Sequence, residues 1–147
     1  MTAAAWQYIG RQGVLGGTYE LLRAALEKHF REPAAPHRWV LTAGLGGMGS
    51  SQPISARMLE LSTLVVEADP AKLAKLRAAG GIDLVIDDLD GALATISAAI
   101  TERRPVAVGL LGNAADVFPA VVASGARPDI VTDQTAVSLF EIFSLQK

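Results

Sequence analysis

Short apolar runs alternate with segments of helical periodicity along most of this 147-residue chain. The apolar runs are three to six residues long, and Gly, Pro, Asn or Asp stands at most of the junctions. Strands that are separated by helices run parallel in one sheet, with right-handed crossovers. The pattern therefore predicts an α/β fold, namely a Rossmann-like, doubly wound parallel sheet of about five strands with helices on both faces.

The element boundaries follow from periodicity and from residues that start or stop helices. The predicted strands are residues 39–43, 64–67, 84–86, 106–111 and 129–132. The predicted helices are residues 18–30, 51–61, 70–79 and 89–100, and a last helix after residue 113. Pro119 predicts that this last helix starts late or is kinked. We expect the fourth strand to lie beside the first, across the point where the strand order reverses.

Composition and charge disfavour several classes of protein. Thirteen Lys and Arg against 15 Asp and Glu give a net charge of −2, and without a basic run nucleic acid is not expected as a partner. No apolar stretch is long enough to predict a membrane span. The absence of cysteine excludes disulfides and thiol catalysis within the chain and fits a cytoplasmic setting, and the presence of only two histidines disfavours a self-contained metal hydrolase.

A glycine-rich segment directly after the first predicted strand matches the dinucleotide-binding fingerprint. Gly44, Gly46 and Gly49 occupy its first, third and sixth positions. The first glycine allows a tight turn, the second lets the backbone approach a pyrophosphate closely, and the third lets the helix pack closely on the strand. The following helix is expected to start only at residues 51–53, which predicts a long phosphate loop. The alternative is that the segment is purely a tight connection.

An acidic residue stands where the fingerprint expects the partner of the adenosine ribose. Glu67 ends the second predicted strand, 23 residues after Gly44. Ala68 follows, with no arginine beside it for a 2′-phosphate, so NAD is preferred over NADP. Lys72 reaches either a phosphate or solvent. One alternative is that Glu67 is merely a solvated strand end. Another is that the site binds S-adenosylmethionine rather than NAD.

Two further loops follow predicted strands at the carboxyl edge of the sheet, where open α/β sheets bind ligands. One contains Asn113 and the other contains Gln134 and Thr135. Each supplies amide or hydroxyl groups for hydrogen bonds to a nicotinamide or its ribose. From spacing alone, Asn113 fits equally well as the N-cap of the next helix.

The remaining polar residues are better explained as surface groups. The carboxylates of Asp87, Asp88 and Asp90 are typical of a capped, solvated helix start rather than of a metal site. His29 and His37 are expected on the surface. No nucleophile, base and acid can be assembled from the pattern, so no catalytic residue is predicted.

Four segments carry a resemblance to a known enzyme family. They are YIGRQG (8–13), LTAGLGGMG (41–49), GLLGNA (109–114) and PDIVTDQT (128–135). In this order and spacing they resemble the central NAD-binding segment of urocanase (urocanate hydratase), and the resemblance covers residues 1–135. It implies NAD as the cofactor.

The resemblance also implies a mechanism and a set of binding residues. In urocanases NAD acts as an electrophile: the imidazole of urocanate adds to the nicotinamide ring, and water then adds to give imidazolone propionate. Lys72 falls where the family often has arginine, and Glu67 is implied to bind the adenosine ribose. The residues implied to meet the pyrophosphate are Gly47, Met48 and Gly49. Those implied to line the dinucleotide are Asn113, Ala114, Gln134 and Thr135.

The chain also departs from the family it resembles. Urocanases are several times longer and have a conserved cysteine, which this chain lacks. We therefore expect residues 1–135 to be an excised or naturally truncated NAD-binding domain, and residues 136–147 to be a divergent, non-native tail. Such a fragment is expected to be inactive alone, to meet urocanate only in the full-length enzyme and to be a possible homo-oligomer. The alternative is a stand-alone nucleotide-binding module, regulatory or vestigial.

Overall fold

The computed structural model describes residues 10–30 and 37–135 of the chain. Helices and strands alternate along them as the sequence predicts. The helices are α1 (Gly10–His29), α2 (Ser51–Met58), α3 (Pro70–Ala78), α4 (Leu89–Glu102) and α5 (Ala114–Ala123). The strands are β1 (Trp39–Ala43), β2 (Ser62–Glu67), β3 (Leu84–Ile86), β4 (Ala107–Leu111) and β5 (Ile130–Val131). None of these helices is long and apolar enough to cross a membrane.

The five strands form one parallel sheet in the order β3-β4-β2-β1-β5. The predicted parallel sheet is thus confirmed, but the predicted pairing of the fourth strand with the first is wrong. Strand β4 pairs with β2 along its length, with Leu111 opposite Glu67, and β5 takes the place beside β1. The long, buried strands occupy the centre, and the short, partly exposed strands β3 and β5 form the edges.

Helices cover both faces of the sheet because side chains alternate along each strand. Val40 of β1 packs with Leu22 and Leu26 of α1, whereas its neighbour Leu41 lies in a cluster with Ile96 of α4 and Val121 of α5. A third cluster packs α3 against β2 and β4. Each central strand is therefore buried from both sides, which explains its largely apolar sequence.

A clamp at the amino end of the sheet fixes β5 against β1. The Asp129 carboxylate accepts the Trp39 N–H at 2.9 Å and a bond from Arg38 Nη1 at 2.9 Å. At the other end, the Gln134 N–H donates to the Ala43 carbonyl at 2.8 Å. The chain after β5 is thereby held at the carboxyl end of β1.

The starts of two helices differ from the prediction. Helix α1 begins at residue 10 rather than 18. The sequence predicted that Pro119 would delay or kink helix α5. The late start is wrong, because the helix begins at Ala114, where the Asn113 side chain accepts the Ala115 N–H at 3.0 Å. Pro119 lies inside this helix. Residues 31–36, between the first predicted helix and the first predicted strand, and the predicted tail at 136–147 fall outside the described residues.

Candidate functional site

The loop between β1 and α2 depends on two glycines for its shape. Gly44 has φ +83°, and a Cβ on it would stand 2.7 Å from the Thr135 nitrogen. A Cβ on Gly49 would overlap the Gly44 carbonyl group. Such contacts are closer than Cβ atoms tolerate, so the first and sixth positions of the fingerprint are required by the packing of the loop itself.

The glycines between them are different. A Cβ on Gly46 or Gly47 would have nothing within 4 Å among the described residues, and neither residue has a positive φ. Both are exposed, and Met48 beside them is half-buried. Contacts within the described fold therefore give no reason for glycine at 46 and 47, and no described atom fills the space above them.

Four consecutive N–H groups of this loop point to an anion site. Within residues 10–30 and 37–135, the N–H groups of Gly46, Gly47, Met48 and Gly49 have no hydrogen-bond acceptor. Helix α2 begins just beyond them at Ser51, as predicted. Unpaired N–H groups at the start of a helix, with its dipole behind them, favour a phosphate or another anion.

Glu67 is buried against the same loop. Its Oε2 accepts the Leu45 N–H at 2.6 Å, and its Oε1 accepts the Asp69 N–H at 3.0 Å. The side chain is only 7% exposed, so the alternative of a solvated strand end is wrong. The carboxylate thus fixes the glycine loop and the start of α3 at once.

Lys72 lies beside this carboxylate on the solvent side. Its Nζ is 3.6 Å from Glu67 Oε1, and its side chain is 46% exposed. From the sequence, Lys72 was expected to reach either a phosphate or solvent. In the structure it is paired with the acid that is expected to bind the ribose.

Asn113 and Ala114 lie at the end of β4, next to β2. The Gly112 N–H donates to the Glu67 carbonyl at 3.1 Å, which brings this loop beside the acid. The Asn113 side-chain oxygen caps α5, so the capping interpretation is confirmed. Asn113 is exposed and Ala114 is partly so. Their contact with a dinucleotide stays a prediction. The structure places both residues on the Glu67 side of the glycine loop.

Gln134 and Thr135 lie on the opposite side of the glycine loop. Their backbone is in contact with Gly44, and the Gln134 Cβ would be 3.3 Å from a Cβ on Gly49. The Thr135 N–H donates to the Asp133 carboxylate at 2.8 Å, which closes a small turn. The predicted site residues therefore all lie along the carboxyl edge of the sheet, with β4 and β2 on one side of the loop and β5 on the other.

A buried polar cluster below the loop was not predicted from the sequence. The Thr132 hydroxyl bonds to the Thr42 hydroxyl at 2.8 Å and to Gln52 Oε1 at 3.2 Å. Close by, the hydroxyls of Thr18 and Ser51 are 2.9 Å apart. These bonds tie the start of α2 to β1, β5 and α1. The only signal in the sequence was a hydroxyl residue within each of two apolar strands.

An open, largely apolar groove of about 540 Å³ runs between α3 and the sheet edge, close to the acid. Leu111, which lines it, is the residue paired with Glu67 in the sheet. The remaining lining residues are Pro70, Leu73, Ala74, Arg77, Ala78, Val85 and Asp87.

The other polar residues behave as surface groups. Asp88 caps α4 by accepting the Gly91 N–H at 2.6 Å, and Asp87 and Asp90 are exposed. His29 and His37 are exposed as well, as predicted. In the described part of the chain, no three histidine or carboxylate side chains are grouped so as to hold a metal ion.

The parallel sheet, its crossovers and the glycine loop define the class of this protein as a Rossmann-like domain. The chain belongs to the urocanase family, because its residues 10–140 match the urocanase Rossmann-like domain. It is 47% identical over 137 residues to the S-methyl thiourocanate hydratase of Variovorax sp. (strain JCM 16519 / RA8). That match covers 93% of this chain and 25% of the relative, so the chain spans about a quarter of the length of this curated relative.

Proposed function

We propose that this chain is the NAD-binding domain of a urocanate hydratase of histidine degradation, acting in the cytoplasm. The observation that carries the proposal is the row of four loop N–H groups, residues 46–49, without an acceptor among the described residues. No atom of the described residues lies within 4 Å of a Cβ built on Gly46 or Gly47. A pyrophosphate is the anion that such a loop accepts when it joins a strand to a helix in this fold.

The residues around the loop fit the rest of NAD. Each carboxylate oxygen of Glu67 accepts one backbone N–H and has a second lone pair for a ribose hydroxyl. The groove beside Pro70 and Leu111 offers an apolar surface for the adenine ring. On the other side of the loop, the polar groups of Gln134 and Thr135 are available to the nicotinamide half. Asn113 and Ala114 line the adenosine side.

The chemistry follows from the bound cofactor and from parts beyond this chain. When bound, NAD supplies an electrophilic nicotinamide ring that activates urocanate toward addition of water, giving imidazolone propionate. The residues of this chain bind and orient the dinucleotide. We assign no catalytic residue here, and we expect the chain alone to be inactive toward urocanate.

The relative's name favours a second candidate substrate. A hydratase named for S-methyl thiourocanate shares 47% identity with this chain. Both compounds would meet the same nicotinamide, so the NAD site does not distinguish them. Full-length enzyme carrying this domain, assayed in parallel with urocanate and S-methyl thiourocanate, would decide between the two.

Calorimetric titration of the full chain tests the proposal, after mass spectrometry has shown the sample to be free of carried-over cofactor. We expect saturable binding of NAD⁺ and no comparable binding of S-adenosylmethionine. Replacing both Gly46 and Gly47 by alanine should weaken NAD⁺ about tenfold or more, because the added Cβ atoms fill the phosphate site. Gly16→Ala is the matched control, since Gly16 in α1 also has open space for a Cβ.

Two outcomes would contradict the proposal. Tighter binding of S-adenosylmethionine than of NAD⁺ would favour a methyl-donor site. An equal loss of NAD⁺ binding in Gly16→Ala and in the loop variant would show that the loop glycines have no special role. The alternative of a stand-alone module predicts the same NAD⁺ binding, and it is supported if full-length proteins carrying this domain neither hydrate urocanate nor bind it.

A further inference from the structure

We infer that Thr18 of α1 and Ser51 of α2 are positioning residues for the glycine loop, and that α1 thereby supports the binding of an anion there. The inference rests on the proposed NAD site. Thr18 and Ser51 are each only 6% exposed, and their hydroxyl oxygens are 2.9 Å apart. The Ser51 hydroxyl in turn donates to the Met48 carbonyl at 2.6 Å. A line of polar contacts therefore runs from α1 into the loop.

The Met48 carbonyl is the group through which this line reaches the proposed anion site. It accepts the Ser51 N–H at 3.1 Å as well as the Ser51 hydroxyl. The peptide bond between Met48 and Gly49 is trans, and in a trans peptide the C=O and the N–H point in opposite directions. Holding the Met48 carbonyl toward Ser51 thus directs the Gly49 N–H away from Ser51. That N–H is one of the four loop groups without an acceptor among the described residues.

The two hydroxyls have too few hydrogens for all of their contacts. Thr18 Oγ1 also lies 2.8 Å from the Val14 carbonyl oxygen, so three pairs of oxygens are within hydrogen-bond distance. Each hydroxyl has one hydrogen, and a carbonyl has none to donate. Only two of the three contacts can therefore be hydrogen bonds at one time. The Ser51 hydrogen goes either to Met48 or to Thr18.

A bound anion decides between these two arrangements. An oxygen that accepts the Gly49 N–H polarises the peptide group and makes the Met48 carbonyl a stronger acceptor. The Ser51 hydrogen then stays on Met48, and the Thr18 hydrogen turns to Ser51. The Val14 carbonyl can release it because, inside α1, it also accepts the Thr18 N–H four residues on. Removing either hydroxyl should thus weaken anion binding through the orientation of the loop.

The test is calorimetric titration of the full chain with NAD⁺ and, separately, with inorganic pyrophosphate. Ser51→Ala should raise both Kd values about fivefold, and Thr18→Val should raise them about threefold. Thr18→Ser keeps the hydroxyl and should bind like the unsubstituted chain. The double variant Thr18→Val/Ser51→Ala should bind no more weakly than Ser51→Ala, because Thr18 acts only through Ser51.

Ser55→Ala is the matched control. The Ser55 hydroxyl joins the same two helices by donating to the Leu15 carbonyl at 3.0 Å, and the residue is fully buried. In the described part of the chain that hydroxyl has no bond to the loop. Thermal melts should show similar losses of stability in Ser55→Ala and Ser51→Ala, whereas only Ser51→Ala should lose affinity. Thr18→Val remains informative if Ser51→Ala does not fold.

Three results would overturn the inference while the unsubstituted chain binds NAD⁺. One is an unchanged Kd in folded Ser51→Ala and Thr18→Val chains. Another is an equal loss of affinity in Ser55→Ala and Ser51→Ala, which would mean that α1 affects the loop only by packing on α2. The third is a loss that adds up in the double variant or that Thr18→Ser does not restore.

Failure of the proposed function gives a different result. An unsubstituted chain that binds pyrophosphate but not NAD⁺ would overturn the proposed NAD site, and the pyrophosphate Kd values of the same variants would still decide the role of Thr18 and Ser51. A chain that binds neither compound would overturn the proposed function and this inference together.

Discussion

The carbonyl group of Gly44 occupies the space that a side chain on Gly49 would need. A Cβ built on Gly49 would stand 2.7 Å from the Gly44 carbonyl carbon, closer than Cβ atoms approach backbone. The first and sixth glycines of the fingerprint thus pack against each other, and the loop closes on itself before α2 begins. The glycines at 46 and 47 have no such contact among the described residues. This contrast separates residues that shape the loop from residues that leave room above it.

Gly49→Ala should therefore destabilise the fold, whereas Gly46→Ala should not. The added methyl group of Gly49→Ala meets backbone that cannot move aside, and we expect a loss of about 3 kcal/mol in the free energy of unfolding. Gly46→Ala should change it by less than about 0.5 kcal/mol. Urea unfolding followed by circular dichroism measures both. Equal stabilities of the two variants would contradict the role given to Gly49.

Thr132→Val should destabilise the chain by about 1–2 kcal/mol, because the Thr42 hydroxyl and the Gln52 amide oxygen would each lose a partner in a buried place. Thr101→Val is the matched control, since that hydroxyl is exposed and bonds to the Ser97 carbonyl in its own helix. Thermal unfolding of both variants gives the difference. A loss no larger than that of the control would mean that the cluster adds little to stability.

Asn113 should have a structural role and a binding role that substitutions can separate. Asn113→Ala removes the cap of α5 and should cost about 1 kcal/mol of stability. Asn113→Asp keeps the cap and the stability but places a negative charge beside the proposed dinucleotide, so NAD⁺ should bind more weakly. Chemical unfolding and calorimetry test the two effects. Unaltered NAD⁺ affinity in Asn113→Asp would restrict Asn113 to capping.

Local features of the fold were predictable because they depend on neighbouring residues. The buried run from Trp39 to Ala43, the cap and proline at Asp69 and Pro70, and the glycine loop each combine signals within a few positions. The order of the strands across a parallel sheet depends instead on the path of each crossover connection, that is, on which strands it passes over before the next strand joins the sheet. Nothing in the alternation of strands and helices specified that β4 would lie beside β2.

The sequence predicted where the residues of the candidate site lie more accurately than it predicted the contacts they make. Glu67 was expected at a strand end, and it lies there, but its bonds to the Leu45 and Asp69 N–H groups depend on how the loop folds over it. The ion pair with Lys72 likewise follows from the start of α3 at Pro70. Such contacts join separate segments, so spacing along the chain does not reveal them.

An NMR titration of the isotopically labelled chain with NAD⁺, reading the backbone amide signals residue by residue, tests directly whether the glycine loop binds the dinucleotide. We expect the largest shifts at residues 46–49, whose N–H groups lack acceptors among the described residues, with further shifts at 67–72, 112–114 and 134–135. The residues with shifted signals should thus lie along the carboxyl edge of the sheet. Saturable shifts centred on α4, or on the Asp129 clamp at the amino end, with the signals of residues 46–49 unchanged, would contradict an NAD site at the glycine loop.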